Sequence, residues 1–256
     1  MSELGFDWSL LGAPLVAGLL VASTHVVLGR RVLERGIIFI DISIAQVAAL
    51  GSLLAATWGL ASAEGGGWQG QLAAGIAALL ASGLLAWTEK RLRFVQEALI
   101  GSLYVVAASV ALLVLASNPH GAEHMQELLA GQILWVGFAR VWPVVGLYAA
   151  ILAAWFLWAR RVPAAFYFLF ALTVMASVQL VGVYLVFATL ILPALGAHGL
   201  HERAGLATGW AIGAAGYALG LWLSVPLDVP AGPLIVCVLA ALALLSGAVR
   251  WLRARA

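Results

Sequence analysis

Long apolar runs separated by short, mostly basic breaks make up the chain. A helix that crosses the hydrocarbon core needs roughly 20 mostly apolar residues, each rising about 1.5 Å. That measure predicts spans at Leu10–Leu28, Ile37–Ala61, Leu72–Trp87, Ala98–Ala116, Val141–Ala159, Leu206–Leu223 and Leu234–Val249. Val162–Leu192 is a longer tract in which only Gln179 is strongly polar. It is too long for one ordinary span and slightly short for two. The pattern therefore predicts two crossings or a re-entry, turning near Val178–Gly182. A break at membrane depth needs cover from protein or a water-filled cavity, and broken helices commonly line transport sites. A tight turn at the outer surface is the plainer alternative. Leu128–Phe138 is a shorter run suited to a re-entrant or interfacial helix.

Composition agrees with the pattern. The chain is 64% hydrophobic and 9% charged, against about 25% charged in ordinary soluble domains. Its mean hydropathy is +1.06. The expected fold is an all-α integral membrane protein, a polytopic helical bundle of about eight to nine transmembrane helices, some short or broken. One membrane domain covers 1–256, with no soluble module attached. The net charge of +2 does not point to nucleic acid, because the basic residues gather at the breaks between spans. Every one except Arg140 falls at a break that the positive-inside rule can assign to the cytoplasm. The N-terminus, the Glu64 loop, the segment around Glu123 and the Asp228 loop then face outward, and the C-terminus faces in. MSELGFDWS has no basic region of the signal-peptide type. The single Cys237 excludes an internal disulfide.

Several chemistries find no motif. A phosphate-cradling nucleotide loop requires a lysine after a glycine array, and the only lysine, Lys90, lies in TEKRLR. Neither His-Glu-x-x-His nor Gly-x-Ser-x-Gly occurs. The chain is therefore not expected to be an enzyme, and transport outranks catalysis.

Five stretches, in order along the chain, resemble the permease subunits of bacterial zinc/manganese-type ABC importers. They are RRVLERGIIFIDISIAQVAALG, QEALIGSLYVV, ELLAGQIL, QLVGVYLVFATLILPALGA and SVPLDVPAGPLIV. The resemblance implies a homodimer in the inner membrane, bound to cytoplasmic ATPase subunits and fed by an outer solute-binding protein. A divalent transition metal, zinc or manganese, would be its substrate, with no permanently bound cofactor. It also implies that Ala194–Gly205 docks into the ATPase, exposing His198, His201, Glu202 and Arg203. Asp228 and Gly232 match the family's terminal signature and would shape the outer mouth. The family's second helix carries an Asp and a His one turn apart. An ungapped overlay places these on Ile42 and Gln46, so Asp41 is one residue early, a rotation of about 100°. Gln132 similarly stands where the family often has Asp, and the segment after Arg161 is shorter than usual.

The candidate transport path is thin in ligands: Asp41, Gln46 and Gln179, with His25 better read as a satisfied interface histidine. Zinc takes His, Cys and carboxylate ligands, and manganese accepts carboxylate and imidazole. An ionisable residue within a span is a functional candidate by default. For Asp41 the structural alternatives are a helix-capping carboxyl or a salt bridge to Arg30 or Arg31. A buried Gln46 is explained equally by an interhelical hydrogen bond. Outside, His120 and His124 stand four apart beside Glu123, a spacing able to bind metal on a helix; an exposed loop touching the binding protein is the plainer reading. Glu97 reads as a favourable charge at a helix N-terminus.

Overall fold

A computed structural model describes residues 8–60, 67–91, 95–115 and 133–253. Its helices are α1 (Trp8–Arg35), α2 (Ile40–Thr57), α3 (Trp68–Arg91), α4 (Gln96–Leu115), α5 (Phe138–Leu157), α6 (Pro163–Val181), α7 (Val183–Gly196), α8 (Glu202–Leu227) and α9 (Ala231–Arg253). Among the described residues there is no strand, and eight helices are long and apolar enough to cross a membrane. The exception is α7, whose 14 residues rise only about 21 Å against a core of about 30 Å.

Helix α3 shows which solvent the fold is built for. It exposes Leu72, Ile76, Leu80 and Leu84, while burying Ala74, Ala78 and Ala81. Large apolar side chains face outward at every fourth position and small ones face the protein. Lipid tails offer no hydrophobic drive between helices, so close backbone approach through small residues holds such helices together. The all-helical polytopic expectation holds.

The predicted break near Val178–Gly182 is found at Gly182, where φ is +82° between α6 and α7. Only glycine enters that region without steric cost. Other boundaries differ both ways: α2 (Ile40–Thr57) falls inside the predicted Ile37–Ala61, whereas several helices run past their predicted ends. Helix α1 continues from Leu28 through the basic residues to Arg35, and α8 begins at Glu202 and not Leu206. Arg30, Arg31 and Arg35 are thus helical residues, not a basic turn. Hydropathy marks the lipid-embedded portion, whereas backbone hydrogen bonding carries a helix on into the headgroup layer. In the Leu128–Phe138 run, the described part is a 3-10 turn at Ile133–Trp135, followed by α5 from Phe138.

Two compact units, interleaved in sequence, divide the chain. The first holds α1, the start of α5 and α7–α9; the second holds α2–α4, the rest of α5 and α6 up to Gln179. In the first, α8 carries glycines at two sets of four-residue spacing. A Cβ on Gly209 would come within 2.6 Å of Val26, and one on Gly213 within 3.1 Å of Ala22, both on α1. One on Gly220 would meet Ile235 of α9 at 2.6 Å, and one on Gly216 would strike Leu239. Two faces of α8 are therefore bare backbone, one for each neighbour. Gly29 of α1 lies so close to α7 that its Cβ would overlap the Leu190 carbonyl oxygen.

A polar contact completes this unit. Thr189 Oγ1 donates to the Leu185 carbonyl at 2.6 Å and lies 2.8 Å from the Tyr217 hydroxyl. A threonine hydroxyl has one proton, so Tyr217 is the donor to Thr189. Removing the donor leaves Thr189 satisfied, whereas removing the acceptor strands a buried hydroxyl. Tyr217→Phe should therefore cost about 1 kcal/mol and Thr189→Val about 1–3 kcal/mol. Thermal unfolding of the detergent-solubilised protein should place Thr189→Val lower, and the reverse order would refute the donor assignment.

In the second unit α2 packs against α3 and α4. A Cβ on Gly51 would come within 2.6 Å of Ala77 and 2.9 Å of the Ala73 carbonyl. At the junction of α5 and α6, Trp155 and Phe166 meet edge to face at 6.2 Å, and Phe170 lies 5.3 Å from Phe166.

Candidate functional site

The entry to α2 is built without a capping side chain of its own. Gly36, at φ +68°, turns the chain, and Phe39 holds the N-cap position, where its ring accepts no backbone hydrogen bond. Ser, Thr, Asp and Asn usually fill that position. A carboxylate from another helix instead binds the cap residue's own amide: the Phe39 N–H donates to Glu97 Oε1 at 3.3 Å. Glu97 is in the first turn of α4. Its neighbour Gln96 donates through Nε2 to the Leu85 carbonyl of α3 at 3.0 Å. The pair Gln96–Glu97 thus ties the start of α4 to α3 and to the start of α2. Sequence reading gave Glu97 a helix-end charge only, because its acceptor role lies 58 positions away from Phe39.

Asp41 is the second residue of α2 and is 1% exposed. The amides of Asp41 and Ile42 lie near its carboxyl group, but neither oxygen has a hydrogen bond of good geometry among the described residues. The expected alternatives fare differently. Among the described residues Asp41 takes part in no salt bridge; Arg31 pairs with Glu34 at 2.7 Å, and Arg30 reaches the Leu200 carbonyl. A place in the first turn, near the positive end of the helix dipole, is what the structure supplies. That support does not replace hydrogen bonds, and an unsatisfied buried carboxyl is costly. Among the described residues Gln96 Oε1 and Glu97 Oε2 are also buried without a partner. Unsatisfied acceptors therefore gather where α2 and α4 begin.

Gln46 is buried as expected. Five residues on from Asp41, it is turned about 140° away around the helix. The side of Asp41 continues through Ala45 and Ala48, both buried and small, whereas Gln46 shares its side with half-buried Ile42. Gln179 is exposed in the last turn of α6, and so it does not share the burial of Asp41 and Gln46. His25 has partners: its Nδ1 donates to the Val21 carbonyl at 2.9 Å.

His198, His201, Glu202 and Arg203 are brought together, all exposed, on the turn between α7 and the start of α8. Asp228 is exposed at φ +50°. The Val229 amide bonds the Ser224 carbonyl and the Asp228 amide bonds that of Val225, at 3.2 and 3.3 Å. This is a Schellman ending, and aspartate tolerates its left-handed position better than most residues do. Gly232 is half-buried in the first turn of α9. His120 and His124, with Glu123 and Gln132, lie outside the described residues. Among the described residues no group of three or more His, Cys, Asp or Glu side chains is arranged to hold a metal ion.

A polytopic helical chain that buries an acid within a span has the make-up of a membrane protein with a functional site in its spans. The chain is a member of the ABC 3 transport family, whose model matches residues 8–166 and 157–250. Its fold is similar to PsaBC from Streptococcus pneumoniae, solved in complex with Fab: TM-score 0.73, 20% identity, covering 94% of this chain and 91% of that one. It is also similar to a protein described as a metal-chelate type ABC transporter in an inward-facing conformation, with TM-score 0.68, 14% identity and the same coverages of 94% and 91%. No curated protein sequence matches the chain. The expected membership of an ABC transport family is borne out by the family match, and the fold agrees with it.

Proposed function

We propose that this protein is the inner-membrane permease of an importer that moves a divalent transition metal, zinc or manganese, into the cytoplasm. It works as a homodimer with cytoplasmic ATPase subunits and an outer solute-binding protein. The N-terminus is outside and the C-terminus inside. Asp41 carries this reading, as a buried carboxyl group without a hydrogen bond of good geometry among the described residues, in a chain of the ABC 3 family. A divalent cation is the kind of cargo for which such a group has a use, since a cation offsets the charge that the protein leaves uncompensated. Gln46, on a different side of α2 from Asp41, offers an oxygen that binds weakly and releases easily at a separate point of the path. Gln179 lies at the exposed end of the path, and Asp228 and Gly232 form the outer mouth. His120 and His124 are a first capture point. The turn carrying His198, His201, Glu202 and Arg203 docks the ATPase.

A metal chelate is the second reading. The Ile42 and Gln46 pair offers a bare ion less than Asp and His would, and one similar structure is described as metal-chelate type. Uptake by proteoliposomes containing the permease, its ATPase and its binding protein separates the readings. Accumulation of free zinc or manganese on ATP addition supports the first. Accumulation of the chelate alone supports the second. Movement of neither would leave a scaffold that transports nothing, and both readings would fall.

A further inference from the structure

We propose that Arg30 and Arg250 are positioning residues for the α7–α8 turn, holding its backbone carbonyls so that the turn is fixed to α1 and α9. The proposal rests on the reading of that turn as the ATPase contact. It begins from an accounting of carbonyl groups. The last carbonyls of a helix have no amide ahead of them within the helix, and a buried polar group seeks a partner. At the end of α7, the carbonyl of Gly196 in its last turn and those of His198 and Leu200 in the turn beyond it are taken by side chains from distant helices. Ser246 Oγ donates to Gly196 at 2.8 Å, Arg250 Nη1 to His198 at 2.6 Å, and Arg30 Nη2 to Leu200 at 3.4 Å. Between them, the carbonyls of Ala197 and His201 accept from the amides of Leu200 and Gly205. Ser246 and Arg250 are one turn apart on α9, and Arg250 Nε also bonds the Ser246 carbonyl at 3.2 Å.

The two arginines stand in opposite electrostatic settings. Arg250 faces the negative end of α7, where a cation is favoured. Arg30 lies against the first turn of α8, the positive end of that helix, where a cation is disfavoured. Its place there is shaped by the sequence, because a Cβ on Gly205 would occupy the site of the Arg30 guanidinium. Helix dipole compensation does not explain Arg30, whereas the Leu200 carbonyl does. A short bond from a charged donor, such as that of Arg250 at 2.6 Å, is roughly twice as strong as a neutral one, whereas the 3.4 Å contact of Arg30 is longer and weaker. Since both arginines bind backbone, the exposed side chains of His198, His201, Glu202 and Arg203 stay available to a partner. A force applied to the turn would pass directly to α1 and α9.

The test uses the permease assembled with its ATPase and carrying Glu202→Cys for crosslinking. Arg250→Ala, Arg250→Lys, Arg30→Ala and Gly205→Ala are introduced in turn. Gly205→Ala is informative because the added carbon displaces only the flexible end of Arg30. Expected results are a reduced crosslink yield and a several-fold rise in ATP hydrolysed per ion moved for Arg250→Ala and Gly205→Ala. Partial recovery with Arg250→Lys is expected, while thermal unfolding of the isolated permease changes little. Unchanged crosslinking and coupling in Gly205→Ala and Arg250→Ala would overturn the clamp while leaving the docking assignment intact. Absence of any crosslink from Glu202→Cys with wild-type arginines, with another loop crosslinking in its place, would overturn both.

Discussion

Asp41→Asn and Asp41→Ala are each expected to lower metal uptake by about tenfold or more, in the range seen when groups that support a metal site are removed. Uptake would be measured in proteoliposomes, with ATPase assembly checked by co-purification. The asparagine variant decides between roles. If Asp41 served only the start of α2, asparagine would substitute well, since it too is favoured near helix N-termini. If the negative charge attracts a cation, asparagine should fail nearly as badly as alanine. Stability should move the other way. Both carboxylate oxygens are buried without hydrogen bonds of good geometry, so removing the carboxyl should leave the unfolding temperature level or raised. Normal uptake by Asp41→Asn would end the assignment.

Gly29→Ala is expected to be among the most damaging single substitutions for the fold. Its added carbon would overlap the Leu190 carbonyl oxygen of α7, a backbone atom that cannot rotate away. α1 and α7 would have to separate. Overpacking of this kind usually costs about 1–3 kcal/mol, and the upper end is expected because no rotamer relieves it. Detergent-based thermal unfolding and membrane expression level both report it. Gly205→Ala provides the comparison, since there the obstacle is the far end of an arginine. Equal unfolding temperatures for Gly29→Ala and wild type would show that the helices have slack the structure does not contain.

Much of the fold was legible because lipid is an undemanding solvent to read: a run of apolar residues either fills the core or does not. The break at Gly182 was legible for a related reason, as an apolar tract too long for one helix must turn somewhere. Helix ends were not, because Arg30, Arg31 and Arg35 remain helical beyond the apolar limit. Asp41 stood out by its charge alone. Its setting did not, since Glu97, which holds the Phe39 amide at the start of the same helix, comes from α4 and leaves no trace in local spacing. Gln179 illustrates the opposite failure. A polar residue inside an apolar run looks buried from sequence, but at a helix end it can turn outward, and it does. The carbonyl contacts of Arg30 and Arg250 were hidden similarly, because acceptors on the backbone carry no residue identity.

The two bare faces of α8 set the terms on which this helix can vary. Along Gly205, Gly209 and Gly213, and again along Gly216 and Gly220, any side chain is an intrusion on a neighbour. The exposed strip is different, running through Ala207, Trp210, Ala211, Leu219, Trp222 and Val225. There, bulk is tolerated as long as it stays apolar. A helix that looks uniformly permissive by composition thus holds its heritable constraint in residues with no side chain, and its freedom in the largest ones.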